Sequence, residues 1–200
     1  MKKSFVLILI MITFSSLYSQ KAKITAGGGI SKINSSTGPV FDKSVFVFSG
    51  GVGLDWFEKE NFYISSEVGY TQMGGKETNP SLPQPYDEME KKWGFIYLSS
   101  TFRYKIPVDK SFFFIGAGPK LNFSLDSSSA FKNTIYDGGY NMKSLNIGLL
   151  TEVGYMHDWD KFRAGIVGSY LIGISPVAST EFSKLKSNPL FFSLSFGFNL

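Results

Sequence analysis

Apolar and polar residues alternate with a period of two through eight segments of the chain, at about 22–31, 46–56, 62–71, 96–106, 113–123, 144–155, 162–172 and 190–200. The first sets Ala22, Ile24, Ala26, Gly28 and Ile30 against Lys23, Thr25, Gly27, Gly29 and Ser31; the last sets Leu190, Phe192, Leu194, Phe196, Phe198 and Leu200 against Phe191, Ser193, Ser195, Gly197 and Asn199. Side chains on a strand point to opposite faces in turn, so each segment reads as a strand with one apolar and one small or polar face. The connections alternate in length. Short turns are expected at 58–61, 107–110 and 157–161, and long loops at about 34–43, 74–92, 125–141 and 173–188. Eight strands joined this way predict an all-β protein, an eight-stranded antiparallel up-and-down barrel.

Alternation alone does not say which face is inside. A water-facing exterior is usually rich in Lys and Glu, whereas the polar faces here are dominated by Gly, Ser, Thr and Asn, sizes that fit a narrow lumen. Most of the charge falls in the connections. The pattern therefore predicts a transmembrane barrel whose apolar face meets lipid, since hydrocarbon admits only structures with every backbone group paired and a closed sheet has no edge. A soluble barrel would carry the same pattern turned inside out. With both termini on the periplasmic side, the short turns are periplasmic and the long loops extracellular. Trp56, Phe57, Phe62, Tyr104, Phe112, Tyr155, Trp159 and Phe162 cluster round the short turns, as in an aromatic belt at a membrane interface.

The N-terminus has a different pattern. Lys2 and Lys3 precede an apolar run from Phe5 to Phe14, and Ser15, Ser16 and Ser19 follow, the layout of a secretory signal. The run is shorter than the roughly 20 residues of a membrane-spanning helix. Residues 1–19 are read as a signal peptide and 20–200 as the barrel domain. Without Lys2 and Lys3, 18 basic residues oppose 16 acidic ones, a net +2 rather than +4. No basic stripe suggests a nucleic-acid partner. The chain has no cysteine, so neither a disulfide nor a lipid-modified cysteine is available. Its 21 Gly and 33 aromatics (20 Phe, 10 Tyr, 3 Trp) suit strands.

The run from Phe112 through Ile115, Gly116, Ala117, Gly118, Pro119 and Lys120 to Phe123, the Gly-aromatic strands and the long second loop resemble the PorT-like outer-membrane β-barrel domain proteins. That resemblance covers the whole mature chain and implies an integral outer-membrane protein inserted by the barrel assembly machinery, with support of a secretion apparatus as one role. Such families usually end on an aromatic; here Leu200 is last and Phe198 stands two before it.

Chemistry is sparse. The single histidine, His157, reads as a turn residue beside Asp158 and Asp160. No HExxH, clustered metal-ligand spacing or phosphate-cradling glycine motif occurs. No enzyme, cofactor or metal is expected. The notable set is five inward charges, Glu67, Arg103, Lys120, Glu152 and Arg163. Unpaired charge inside a narrow barrel is costly, so a charge network is expected, with Glu67 facing Arg103 and Glu152 facing Arg163 on neighbouring strands. The leading expectation is a non-enzymatic barrel acting through its extracellular loops or through envelope-protein contacts, in binding, adhesion or secretion support. Its alternatives are a narrow pore for ions or small solutes and a membrane-embedded lipid enzyme. Loop two, with three prolines and an acidic-basic run, and loop three, with Phe131, Tyr136 and Tyr140, would present the partner surface.

Overall fold

A computed structural model describes residues 21–36, 43–78, 88–125, 141–179 and 183–200. The expected signal peptide, with its cleavage point, lies outside them, as do Phe131, Tyr136 and Tyr140. The described residues form twelve strands: β1 (Lys21–Ser31), β2 (Ile33–Ser35), β3 (Val45–Trp56), β4 (Phe62–Thr78), β5 (Glu88–Val108), β6 (Ser111–Ser124), β7 (Asn141–Met142), β8 (Leu145–Asp158), β9 (Phe162–Gly173), β10 (Ala178–Ser179), β11 (Lys184–Ser187) and β12 (Leu190–Asn199). Eight of them close a barrel in the order β1-β12-β9-β8-β6-β5-β4-β3, every pairing antiparallel. The expected eight-stranded antiparallel barrel is the fold observed.

Its faces separate by chemistry. Ile24, Val52, Val68, Leu98, Ile115, Val153, Ile166 and Leu194 point outward and are exposed, the last at 68%. Their neighbours Lys23, Asp55, Ser65, Thr101, Arg103, Lys120, Glu152, Arg163 and Ser195 are buried inside. This inverts a water-soluble protein, in which exposed apolar patches stay small. It is the arrangement expected of a barrel whose outer surface meets hydrocarbon.

The short connections turn sharply. β5 and β6 are joined by Asp109 and Lys110 alone, and Asp109 takes a left-handed backbone (φ 53°), a region Asp tolerates better than most residues. Glycines inside make room for bulky neighbours. A Cβ on Gly154 would lie 2.5 Å from the Phe114 ring, and one on Gly116 would lie 2.8 Å from Cγ of Arg103.

The other end departs from expectation. Segments read as loops contain β2, β7, β10 and β11, which pair as a second sheet in the order β2-β11-β10-β7. The expected loop at 74–92 is partly ladder, since β4 and β5 stay paired from Gly74↔Lys92 to Thr78↔Glu88. Beyond Gln72 and Gly94 neither strand pairs with another barrel strand, so this ribbon extends past the barrel ladder, held on one side by an isolated bridge between Lys76 and Lys43. The reason is local. Ile33, Val177, Ala178 and Leu185 are apolar and fully buried, and extended backbone at that depth satisfies its polar groups by pairing. Phe112 is a second correction: it points into the lumen at 5% exposure and does not join the aromatic belt. Trp56, Phe57, Phe62, Tyr104, Tyr155, Trp159 and Phe162 lie at or near the outer rim, with Phe62 stacked on Phe102 and Phe162 on Phe196.

Candidate functional site

The lumen holds three layers. Nearest the short turns lies an ion network. Arg163 on β9 donates from Nε to Asp158 (2.7 Å) and from its Nη2 to Glu58 (2.6 Å), and its Nη1 reaches Asp55 at 3.5 Å. Lys105 donates to Glu58 at 3.0 Å, and Lys21 to Asp158 at 3.1 Å. Glu58 sits in the connection after β3. Burial alone would raise its carboxyl, but the adjoining Arg163 guanidinium, with Lys21 and Lys105, outweighs that and holds it below its ordinary value. Aromatic rings interleave with these cations: the Arg163 guanidinium lies 4.7 Å from the Phe112 ring, and that of Arg103 lies 4.6 Å from Phe114. Tyr63, Phe112, Phe114, Met156 and Val167 form an apolar cluster here.

The middle layer is a polar chamber of about 40 Å³, lined by residues that include Lys23, Glu67, Tyr97, Arg103, Lys120 and Glu152. At roughly 10–15 Å³ per water it admits about three waters. Arg103 on β5 and Glu152 on β8 form a two-pronged pair over Gly116 of the intervening β6, Nε to Oε2 and Nη2 to Oε1, both 2.9 Å. Glu67 pairs with Lys23 at 3.1 Å and accepts a hydrogen bond from the Tyr97 hydroxyl. Lys23 also donates to Ser65 and approaches Asp55 at 3.7 Å.

The expected pairing is thus corrected. Glu67 takes Lys23, not Arg103; Glu152 takes Arg103, not Arg163; and Arg163 belongs to the layer below. Adjacent strands suggested the wrong partners because register sets the height: Glu67 lies opposite Ser99 and Glu152 opposite Ser169, whereas each observed pair shares a row with a glycine between its members, Gly53 for Lys23 and Glu67 and Gly116 for Arg103 and Glu152. Lys120 stands apart at 4% exposure. It forms no ion pair among the described residues, and its Nζ lies 3.9 Å from the Tyr97 ring centroid. Such a contact supplies about 2 kcal/mol when desolvated, less than the several kcal/mol that taking an ion out of water costs. Lys23, Asp55, Glu58, Lys105 and Asp158 were not among the expected network residues. The same alternation placed Lys23, Asp55 and Lys105 inward; Glu58 and Asp158, in and beside turns, gave no such signal.

The third layer is apolar. Met73, Trp93, Phe95 and Leu171 from the barrel meet Ile33, Ala178 and Leu185 from the second sheet and Val177 just before β10, all at 1% exposure or less, with Met142 packed against them. The small sheet lies over the lumen as a lid. Ser31 fixes it to the wall, its hydroxyl donating to the carbonyl of Gly74 and bonding the hydroxyl of Ser187, both at 2.9 Å.

His157 is the last residue but one of β8, where Ser111 Oγ lies 2.7 Å from its Nδ1 and the Tyr155 hydroxyl donates to the same Ser111 at 2.8 Å. The Trp159 ring packs on the imidazole at 4.4 Å. A serine nucleophile needs both an oriented base and an oxyanion site. Among the described residues no carboxylate is bonded to this imidazole, and they hold no cluster of metal ligands.

Comparison with known proteins agrees with this architecture. A family model described as outer membrane protein beta-barrel domain matches residues 15–200. Among solved structures, the chain is similar to Neisserial surface protein A (15% identity over 87% of this chain and 95% of that one, TM-score 0.50). It is also similar to outer membrane protein OprG from Pseudomonas aeruginosa (11% identity over 91% and 96%, TM-score 0.56). At such identities the likeness is one of fold. No curated protein matches the chain in sequence.

Proposed function

Because the chain belongs to the outer membrane protein beta-barrel domain family, we propose that it is a non-enzymatic barrel whose lumen is closed and whose working surface is its long-connection end. One observation carries this reading: the apolar lid cluster of Trp93, Phe95, Leu171, Val177 and Leu185 blocks the lumen at that end. The ion network at the opposite end supports it. A solute would have to displace packed apolar side chains at one end and paired charges at the other. With the short turns in the periplasm, the lid and the β4–β5 ribbon face outside the cell, where they meet an extracellular or envelope-protein partner in binding or adhesion. Support of a secretion apparatus is the version that the PorT-like resemblance favours. Residues 1–19 act as the export signal, and N-terminal sequencing of the mature protein should begin at or just after residue 20.

Planar-bilayer recording tests the closed lumen. Almost no current is expected, and regular single-channel steps would replace this reading with the narrow pore that the central chamber otherwise suggests. The partner surface is tested by replacing residues 79–87 with a Gly-Ser linker. The barrel should keep its heat-modifiable migration and lose an envelope protein that co-purifies with the wild type from gently solubilised membranes. Unchanged co-purification would remove loop two from the surface.

A further inference from the structure

The interior charges do not balance. Six cations face the lumen or its short-turn end, Lys21, Lys23, Arg103, Lys105, Lys120 and Arg163, against the five carboxylates Asp55, Glu58, Glu67, Glu152 and Asp158. Every cation but one lies within ion-pair distance of a carboxylate. Lys120 is left over, facing the chamber from β6 with aromatic rings beside its Nζ and the carboxylates of Glu67 and Glu152, each already paired, acting on it from beyond ion-pair distance. Around the same space stand Ser99, Ser169 and Ser193, whose hydroxyls have no hydrogen-bond partner among the described residues.

We infer that the central chamber is a binding site for a small monovalent anion of the halide class, held by the Lys120 ammonium and by donated serine hydroxyl hydrogens. Three observations converge on it. The chamber has one excess positive charge, it carries uncommitted donors, and it is bounded by an apolar layer above and a paired-charge layer below. An ammonium in such a place needs a counter-charge or water. A halide is comparable in size to one water, so it fits a space for about three waters with solvent to spare; a carboxylate-bearing metabolite does not. The site goes beyond the proposed surface function and does not depend on it. It depends on the chamber and on Lys120.

The test is stability of the mature chain refolded separately in sodium chloride, sodium bromide and sodium gluconate at equal ionic strength, so that any ion is trapped as the barrel closes. Chloride and bromide should raise the thermal midpoint of the heat-modifiable transition above that in gluconate, and the increase should saturate with concentration. Two substitutions should erase the preference by opposite routes. Lys120→Met removes the cation, and Ser99→Asp places a carboxylate on the residue directly across the ladder from Lys120. General salt effects act on wild type and variants alike, so the difference between them reads the site. In bromide-grown crystals, anomalous signal should lie beside Nζ of Lys120. Equal midpoints in all three salts for the wild type would overturn the inference, as would a halide preference that survives in Lys120→Met. Bilayer current on the same samples tests the closed lumen separately.

Discussion

Arg103 ties β5 to β8 over Gly116, the residue of β6 that lies opposite both Arg103 and Glu152. It donates twice to Glu152 while its guanidinium lies over Phe114 and 5.7 Å from the Tyr63 ring. Removing one member of a buried pair strands the other, so Arg103→Met should destabilise the barrel by about 3–5 kcal/mol. The double change Arg103→Met with Glu152→Met should cost less than either single change, and urea unfolding in detergent measures all three. If the double variant is the weakest, the pair is doing more than cancelling its own charge. Glu58 answers to pH. Its folded-state value lies below its ordinary 4.5, so its stabilisation is complete above that value and is lost as pH falls through the depressed one. Glu58→Gln should therefore flatten the acid side of the stability profile; coincident acid limbs for the two proteins would remove it from the network. The sequence placed Glu67, Arg103, Lys120, Glu152 and Arg163 on the inward face by parity alone. It did not reveal who meets whom, because partnership depends on barrel radius and strand stagger, and neither is written in any one segment.

At the scale of strands, period two was enough. β12 is the clearest case: Leu194 and Phe192 are exposed outward, while Phe191 and Ser195 are buried. Leu194 lies near the middle of its strand, paired with Ile166 and Ala26. Leu194→Arg should cost about 2–4 kcal/mol at mid-bilayer depth, and Ser195→Ala in the lumen well under that. Folding yield into vesicles at graded urea compares them; equal losses would contradict the assignment of faces. The lid strands escaped detection for a physical reason. β7 and β10 are two residues each and β11 is four, too short for any periodicity to register, and their pairing joins stretches as distant as Ser35 and Leu185. Phe112 misled for another reason: an aromatic beside a turn suits a rim as well as a plug, and only its parity with Phe114 told them apart.

Across the whole molecule, the lid can be watched through Trp93, which is 1% exposed at its centre. In a background with Trp56→Phe and Trp159→Phe, Leu185→Asp should shift Trp93 emission to the red and open it to acrylamide, while the barrel still migrates as a folded species. Unchanged emission would mean that the small sheet does not seal the lumen. A different consequence follows from how the barrel closes. Its seam joins β1 to β12, with Lys21 opposite Asn199, so two strands that are neighbours in space are the farthest apart in the order of described strands. Any shorter stretch would leave two raw margins of amide and carbonyl groups that hydrocarbon cannot satisfy. Entry into the bilayer therefore has no stable halfway house: a ribbon without its final strand keeps two open margins, and only the zipped cylinder can rest in oil.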